Sequence, residues 1–175
     1  VEHPNFLLNL QIVDICEFLR GYLADRYDEI QLAGFYLQAD IPEEPIYVNL
    51  DGPQFRRALD NILYNSVKYN SLGTVLAVGI EKNEKNSKSV GIYIADNGIG
   101  VSPDQRETIF QPFVMGDESR SGGGSGLGLA ISKRIVESHG GSIGLQPVTD
   151  GGFSTVFKII LQTEAEKKEE IIKDL

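Results

Sequence analysis

The sequence has little of what disulfide-stapled or metal-stapled folds require. Its 175 residues include one cysteine, Cys16, two histidines, His3 and His139, and no tryptophan. A single thiol excludes an internal disulfide and a thiolate metal cage, and two histidines argue against a histidine-rich metal site. No apolar run approaches the ~20 residues that a membrane-spanning helix needs. No signal peptide is visible, and because the sequence starts at Val1 we expect a piece of a longer protein.

Positive charge is also scarce. Sixteen lysines and arginines stand against 25 acidic residues, which gives a net charge of −9 and a pI near 4.7. This balance argues against nucleic acid as a partner and against general binding to an anionic membrane surface. A small anionic ligand remains compatible with it, because the field of exposed charges fades over about 8 Å at physiological salt.

What the sequence does contain is the composition of one globular domain, which we place at residues 1–163, before a charged tail at 164–175. Hydrophobic periodicity and turn residues predict helices at 7–27, 51–70, 102–110 and 125–138, and strands at 35–39, 46–50, 74–81, 90–95, 143–145 and 154–161. Several strands are joined by hairpins. The pattern therefore predicts an α/β fold, an α+β two-layer sandwich whose mixed, mostly antiparallel sheet carries helices on one face.

The helix predicted at 51–70 has an unusual polar face. Asn61, Asn65 and Lys68 recur at helical spacing on the side opposite Leu59 and Leu63. An amide oxygen can ligate a hard cation, and a nearby lysine can neutralise phosphate. The alternative is an ordinary solvated helix face.

A second candidate lies where the strand at 90–95 ends. Asp96 follows the apolar strand, and Gly98 and Gly100 allow a sharp backbone turn. A half-buried carboxylate at this place can accept hydrogen bonds from an exocyclic amino group. The alternative is a strand-end turn, because Asp-Asn-Gly is common in turns.

A third candidate is the glycine-rich stretch at 121–133. Five of the seven residues from Gly122 to Gly128 are glycine, and a helix pattern follows at once. Backbone N–H groups at a helix N-terminus suit phosphate, although a flexible linker is the alternative. Neither Gly-x-Gly-x-x-Gly nor the P-loop Gly-Lys-Ser/Thr is present.

Together the stretches resemble the ATP-binding domain of sensor histidine kinases, within the gyrase, chaperone, histidine kinase and MutL ATPase superfamily. Four motifs occur in the family's order over residues 51–161: an asparagine box at 61–69, a first glycine box at 96–100, a phenylalanine box at 109–113 and a second glycine box at 124–129. One departure is Ser66, where the family more often has alanine.

The resemblance implies a Bergerat-type fold and a role for each motif residue. On the helix, Asn65 would ligate Mg²⁺, Asn61 would support the phosphates or the ion, Lys68 would contact phosphate, and Tyr69 would lie against the base or ribose. Asp96 would accept from the adenine amino group in a pocket shaped by Gly98 and Gly100. The second glycine box would present donors to the phosphates through Gly124, Ser125, Gly126, Leu127 and Gly128. Residues 114–124 would form a lid whose basic residue is Arg120, anchored at its base by Phe110 and Phe113.

The implied function is the ATP-binding catalytic domain of a two-component sensor histidine kinase. With ATP and Mg²⁺ as cofactors, it would donate the γ-phosphate to a histidine on a dimerisation and phosphoacceptor domain absent from this chain. The resemblance implies Asn61 and Lys68 as catalytic residues, and Asn61 and Asp96 each lead to a further expectation. Asn61 stands where gyrase-like members have glutamate, and because an amide is no general base we expect negligible ATP hydrolysis by this chain alone. Asp96 should favour ATP over GTP at least ~10-fold.

The resemblance also implies partners and location. The partner would be a cognate response regulator. The isolated domain would be a monomer that does not insert into a membrane itself. It would lie in the cytoplasm, with the parent protein at the inner face of the cell membrane. The alternative function is a non-catalytic nucleotide-sensing module of the same fold, in which lid order changes the affinity of a partner.

Overall fold

Helices and strands are interleaved along the chain. The computed structural model describes residues 7–83, 85, 88–112, 126–148 and 152–164. Within these ranges the helices are α1 (Ile15–Leu32), α2 (Gly52–Tyr69), α3 (Pro103–Thr108) and α4 (Gly128–Ser138). The strands are β1 (Gln11–Asp14), β2 (Tyr36–Asp40), β3 (Tyr47–Leu50), β4 (Val75–Lys82), β5 (Ser89–Asp96), β6 (Ser142–Leu145) and β7 (Thr155–Gln162).

The strands form a large sheet and a small one. The large sheet has the order β2-β4-β5-β7-β6; β2 runs parallel to β4, and every other neighbouring pair is antiparallel. β1 and β3 pair antiparallel with each other in a separate ribbon. The predicted fold class, with a mixed and mostly antiparallel sheet, is confirmed.

One face of the large sheet packs against the helices. The strand register places Val78, Ile94 and Phe157 in one row across β4, β5 and β7, and all three side chains are buried. Leu59 and Leu63 of α2 belong to the same hydrophobic cluster. Because side chains alternate along a strand, the next row on this face contains Asp96, so the end of β5 directs a carboxylate toward α2.

Helix α4 packs antiparallel to α2. Ser132 Oγ donates a buried hydrogen bond of 2.8 Å to the Ala58 carbonyl oxygen. Farther along α4, the ring of His139 lies edge-on to that of Phe55, with 5.9 Å between centroids. Residue numbers therefore rise along α4 as they fall along α2, and the C-terminal half of α2 extends past the beginning of α4.

The prediction of one helix at 7–27 is confirmed from Ile15 onward and was wrong before it. Residues 11–14 form β1, and the helix begins only at Ile15. The Asp14 carboxylate accepts hydrogen bonds from the N–H groups of Cys16, at 3.0 Å, and of Ile46, at 3.1 Å. Ile12, which lies within the predicted helix, is 39% exposed in β1. Pairing with the distant β3 overrides the local periodicity here.

The remaining predicted elements lie within a few residues of their positions in the structure. Helix α2 follows Asp51, whose carboxylate caps it by accepting from the Gln54 N–H at 3.2 Å. The predicted helix 125–138 begins at Gly128, since Gly126 has a φ of 69° that is incompatible with an α-helix. Of the predicted tail, the structure describes Glu164, whose N–H donates to the Tyr47 carbonyl oxygen at 2.9 Å; residues 165–175 lie outside the described ranges.

Candidate functional site

The C-terminal half of α2 brings the predicted polar residues to one side of the helix. Asn61, Asn65 and Lys68 are partly or fully exposed there, whereas Ile62 and Ser66 are buried. The Lys68 ammonium lies 5.5 Å from the centroid of the Tyr69 ring. The polar helix face that the sequence spacing predicted is therefore present in the structure. It lies on the C-terminal half of α2, which extends past the beginning of α4.

Asn61 lies at the junction of α2 and α4. A Cβ added to Gly128 would lie 3.7 Å from Cβ and Cγ of Asn61. The Asn61 Nδ2 is buried and has no hydrogen-bond partner among the described residues. A buried amide without an acceptor costs about 1–3 kcal/mol, so this atom indicates a ligand-binding position.

The beginning of α4 supplies further donors beside Asn61. Its N-cap residue, Leu127, makes no side-chain capping hydrogen bond. The first N–H groups of a helix have no intrahelical acceptor, and the helix dipole adds partial positive charge at this end. The antiparallel packing directs this end toward the turns of α2 that carry Asn65 and Lys68.

Asp96 forms the second part of the site. It is 3% exposed and ends β5 on the face that contacts α2. Its Oδ2 accepts a hydrogen bond of 2.9 Å from Ser66 Oγ, and its Oδ1 accepts one of 3.0 Å from the Gly98 N–H. Thr155, also buried, lies directly opposite Asp96 in the β5–β7 register.

The glycine loop after Asp96 is held by Asn70 at the end of α2. Asn70 Oδ1 accepts from the Ile99 N–H at 3.0 Å, and its Nδ2 donates to the Ser66 carbonyl oxygen at 2.9 Å. A Cβ on Gly98 would collide with the Asn70 amide. Gly98 is therefore required by a contact within the protein, and Gly100 by its φ of 77°.

Sequence reasoning missed three residues at this site. Asn70 and Thr155 gave no motif signal, and neither did Ser154, whose Oγ donates to the Gly98 carbonyl oxygen at 2.7 Å. Each acts through a partner 29 to 59 residues away, so a local pattern does not reveal it. Ser66 was noticed only as a departure from the usual alanine.

The phenylalanine box is described only in its first part. Phe110 follows α3 and packs on Phe157, with 5.9 Å between ring centroids and planes at 81°. The predictions for Phe113, for the lid with Arg120, and for Gly124 and Ser125 fall on residues outside the described ranges. They stay predictions.

A charged network on another side of α2 fixes this helix to α1. Asp60 accepts two hydrogen bonds from Arg26, at 2.8 and 2.9 Å, and one from Tyr22 at 2.6 Å. The guanidinium groups of Arg26 and Arg56 lie 5.4 and 5.3 Å from the Tyr22 ring centroid. Burial alone would raise the pKa of Asp60, but the hydrogen bonds from Arg26 and Tyr22 outweigh it and lower that pKa. The network holds the helix that carries Asn61 and Asn65.

Two kinds of feature do not occur in the part of the chain that the structure describes. In the ranges that the structure covers, His, Cys, Asp and Glu side chains nowhere gather in groups of three that would hold a metal ion. Within the same ranges, no helix has both the length and the apolar character to cross a membrane.

Comparison with known proteins identifies the family. The profile described as "Histidine kinase-, DNA gyrase B-, and HSP90-like ATPase" matches residues 50–164, and the chain belongs to this family. Sensor histidine kinase WalK of Bacillus subtilis strain 168 is 29% identical over 167 residues, which cover 94% of this chain and 27% of WalK. Sensor histidine kinase YcbM of the same strain is 33% identical over 135 residues, which cover 76% of this chain and 42% of YcbM.

A solved structure agrees with these relatives. Full-length ShkA in complex with AMPPNP superposes with a TM-score of 0.75 at 26% identity, covering 91% of this chain and 32% of that one. The chain thus spans less than half the length of each of these proteins. The predicted family is confirmed, and the relatives are sensor histidine kinases. The individual residue roles stay predictions.

Proposed function

We propose that the chain is the ATP-binding catalytic domain of a two-component sensor histidine kinase. It binds Mg-ATP and donates the γ-phosphate to a histidine on a dimerisation and phosphoacceptor domain. The observation that carries the proposal is that one helix, α2, contributes residues to both parts of the candidate site. One stretch of this helix touches the buried Asp96 carboxylate through Ser66, and its polar face presents Asn61, Asn65 and Lys68 beside the start of α4.

The adenine end of the nucleotide is assigned to Asp96. A carboxylate accepts hydrogen bonds and donates none when ionised, and the Asp96 carboxylate is engaged by donors on both oxygens. The adenine amino group is a donor, whereas guanine has a carbonyl oxygen at the same ring position. Because Asp96 is buried, placing a second acceptor against it is costly, which supports selection of ATP over GTP.

The phosphate end is assigned to the junction of α2 and α4. Among the described residues the buried Asn61 Nδ2 has no acceptor, the N-cap residue of α4, Leu127, makes no side-chain capping hydrogen bond, and Lys68 adds a positive charge. All three features favour an anion with several oxygens. Main-chain N–H groups at this place come from Gly126, Leu127 and Gly128, none of which has a polar side chain that would compete for the phosphates.

The residues present also fit Mg²⁺. This ion favours oxygen ligands and keeps several waters, so one amide oxygen together with substrate phosphates is a suitable set. Asn65 would provide that amide oxygen. When bound, the ion would neutralise developing charge on the phosphates.

The engagement of His139 supports a phosphoacceptor on another domain. Its Nε2 accepts from the Asp51 N–H at 3.1 Å, and its Nδ1 lies 2.7 Å from the Ile135 carbonyl oxygen. Neither ring nitrogen is available as a nucleophile. In-line attack by an external histidine on the γ-phosphorus would leave ADP, while the phosphate-binding groups stabilise the transferring phosphoryl. Asn61 would position phosphate and not activate water.

The partners follow from this assignment. They are the phosphoacceptor domain of the same protein and a cognate response regulator that receives the phosphoryl group, with the parent protein at the cytoplasmic face of the membrane. The relatives are named as sensor histidine kinases, and the AMPPNP complex of ShkA supports an ATP-type ligand. The net charge of −9 supports a protein partner over nucleic acid.

The test has two stages. Calorimetric titration with AMPPNP should show saturable binding that strengthens with Mg²⁺ and exceeds the affinity for GTP by at least ~10-fold. The chain, joined to the phosphoacceptor hairpin of a sensor kinase relative, should then transfer label from [γ-³²P]ATP to histidine. Absence of binding by folded protein would contradict the proposal. Binding without any transfer would instead favour the nucleotide-sensing module.

A further inference from the structure

We infer that Ser66 strengthens the specificity of Asp96 for the 6-amino group of adenine, because its hydroxyl holds the carboxylate in place and presents only acceptor lone pairs beside it. The inference rests on the proposed ATP-binding function and deepens it. Ser66 and Asp96 are each 3% exposed, and the hydroxyl oxygen lies 2.9 Å from Asp96 Oδ2. This hydrogen bond lies in the core and joins a helix to the end of a strand, 30 residues apart in the chain.

The hydroxyl fixes the orientation of the carboxylate. Gly98 N–H donates to Oδ1 at 3.0 Å, and Ser66 Oγ donates to Oδ2. Donors from two different elements therefore hold the two oxygens, and rotation of the carboxylate would break both bonds. Each oxygen retains a lone pair for a further donor. The carboxylate is thus positioned before any nucleotide binds.

The direction of the Ser66 hydroxyl proton decides whether a ligand beside it can donate or accept a hydrogen bond. A serine hydroxyl has one proton and two lone pairs. Because the proton is committed to Asp96, the oxygen of Ser66 presents only lone pairs to any further group. Ser66 and Asp96 together therefore accept from an amino group and repel a carbonyl oxygen. Alanine would remove this constraint and leave space in which a water could donate to a 6-carbonyl.

The backbone of Ser66 reinforces the arrangement. Its carbonyl oxygen accepts from Asn70 Nδ2 at 2.9 Å, and Asn70 Oδ1 accepts from the Ile99 N–H at 3.0 Å. Ser66 is therefore linked to the loop after Asp96 through both its side chain and its main chain. A displacement of α2 at this point would displace the carboxylate and the loop together.

The variant that tests the inference is Ser66→Ala, because alanine at this position is common in the family and should fold. Calorimetry would compare ATP, ITP, which has a carbonyl at the 6-position, and purine riboside triphosphate, which has no substituent there. Wild-type protein should prefer ATP over purine riboside triphosphate by about 10-fold and over ITP by more. In Ser66→Ala both preferences should fall by about 5-fold, while affinity for purine riboside triphosphate changes less than about 2-fold.

Two companion variants separate specificity from stability. Ser132→Ala removes another buried hydroxyl, whose bond to Ala58 lies away from Asp96; it should lower the melting temperature without changing the preference among the three nucleotides. Ser66→Cys retains a weak donor and should give an intermediate preference. If Ser66→Ala weakens all three nucleotides equally, or leaves the preference unchanged, the inference is overturned while the proposed function stands. If wild-type protein binds none of the three, both are overturned.

Discussion

The two ends of the candidate site differ in how complete the protein makes them. At the adenine end, both oxygens of Asp96 have donors, from Ser66 and from the Gly98 N–H. At the phosphate end, the Asn61 Nδ2 is buried without a partner among the described residues, and the N-cap residue of α4, Leu127, makes no side-chain capping hydrogen bond. The protein itself pairs the carboxylate at one end, whereas at the other end a buried donor has no acceptor in the part of the chain that the structure describes.

This difference indicates how binding energy is divided. Because the orientation of the Asp96 carboxylate is fixed in advance, little conformational entropy is lost when a nucleotide binds to it. This carboxylate provides selectivity. Unsatisfied donors raise the free energy of the free protein, so a polyanion that pairs with them gains affinity. The adenine end should therefore govern which nucleotide binds, and the phosphate end should govern how binding and stability are coupled.

The largest expected effect comes from breaking the satisfied end. Asp96→Asn replaces one carboxylate oxygen with an NH₂ group, so the amide oxygen can accept from only one of the two donors, Ser66 Oγ and the Gly98 N–H, and the other loses its acceptor. Affinity for AMPPNP should fall about 100-fold, in line with the loss of charged hydrogen bonds worth about 1.5–3 kcal/mol. Calorimetry measures this directly. Asp28→Asn, at an exposed position on α1, is the matched control and should bind as wild type; equal affinities for all three proteins would remove Asp96 from the site.

The next effect concerns the network that holds α2, the helix shared by both ends of the site, against α1. Asp60→Asn weakens the bonds to Arg26 and Tyr22, and the free energy of unfolding should fall by about 2 kcal/mol at neutral pH. Because the interactions lower the pKa of Asp60, its contribution is present above the pKa of an unfolded aspartate, near ~4. It disappears as the pH falls through the lower folded value.

The pH dependence gives this variant a distinctive signature. Urea unfolding of wild type and Asp60→Asn should differ most at neutral pH and converge on acidification below about pH 4. The ratio of ATP to GTP affinity should stay that of wild type, because the network lies away from Asp96. A difference in stability that stays constant down to low pH would exclude ionisation of Asp60 as its cause.

The sequence allowed prediction of those parts of the site that depend on local spacing. Asn61, Asn65 and Lys68 share a helix face by periodicity alone, and Asp96 is recognisable because it ends an apolar strand before glycines. The sheet class also followed from hairpins and interleaved elements. These features require only neighbours within one element, which a single sequence displays.

The rest depends on contacts between elements that are distant in sequence. The bond between Ser66 and Asp96 and the fit of Asn70 against Gly98 exist only once α2 packs on β5. The same reason explains the error at β1, where pairing with β3 replaced the helix that local spacing favoured. Gly98 illustrates the difference: the family resemblance implied a pocket residue, which stays a prediction, and the structure adds a close approach of Asn70 that no local pattern displays.

The smallest effect comes from the unsatisfied end, where binding and stability should change in opposite directions. Asn61→Ala removes the buried Nδ2 that lacks a partner and introduces a residue of higher helix propensity. The melting temperature of the free protein should therefore stay the same or rise, although a polar residue at a helix junction is lost. AMPPNP affinity should fall about 10-fold, because the nucleotide can no longer satisfy this donor. Asn83→Ala, in the exposed turn after β4, controls for loss of an amide elsewhere. A marked fall in stability with unchanged affinity would mean that the Asn61 amide serves the fold, and that the two ends of the site do not differ in the way their hydrogen bonds indicate.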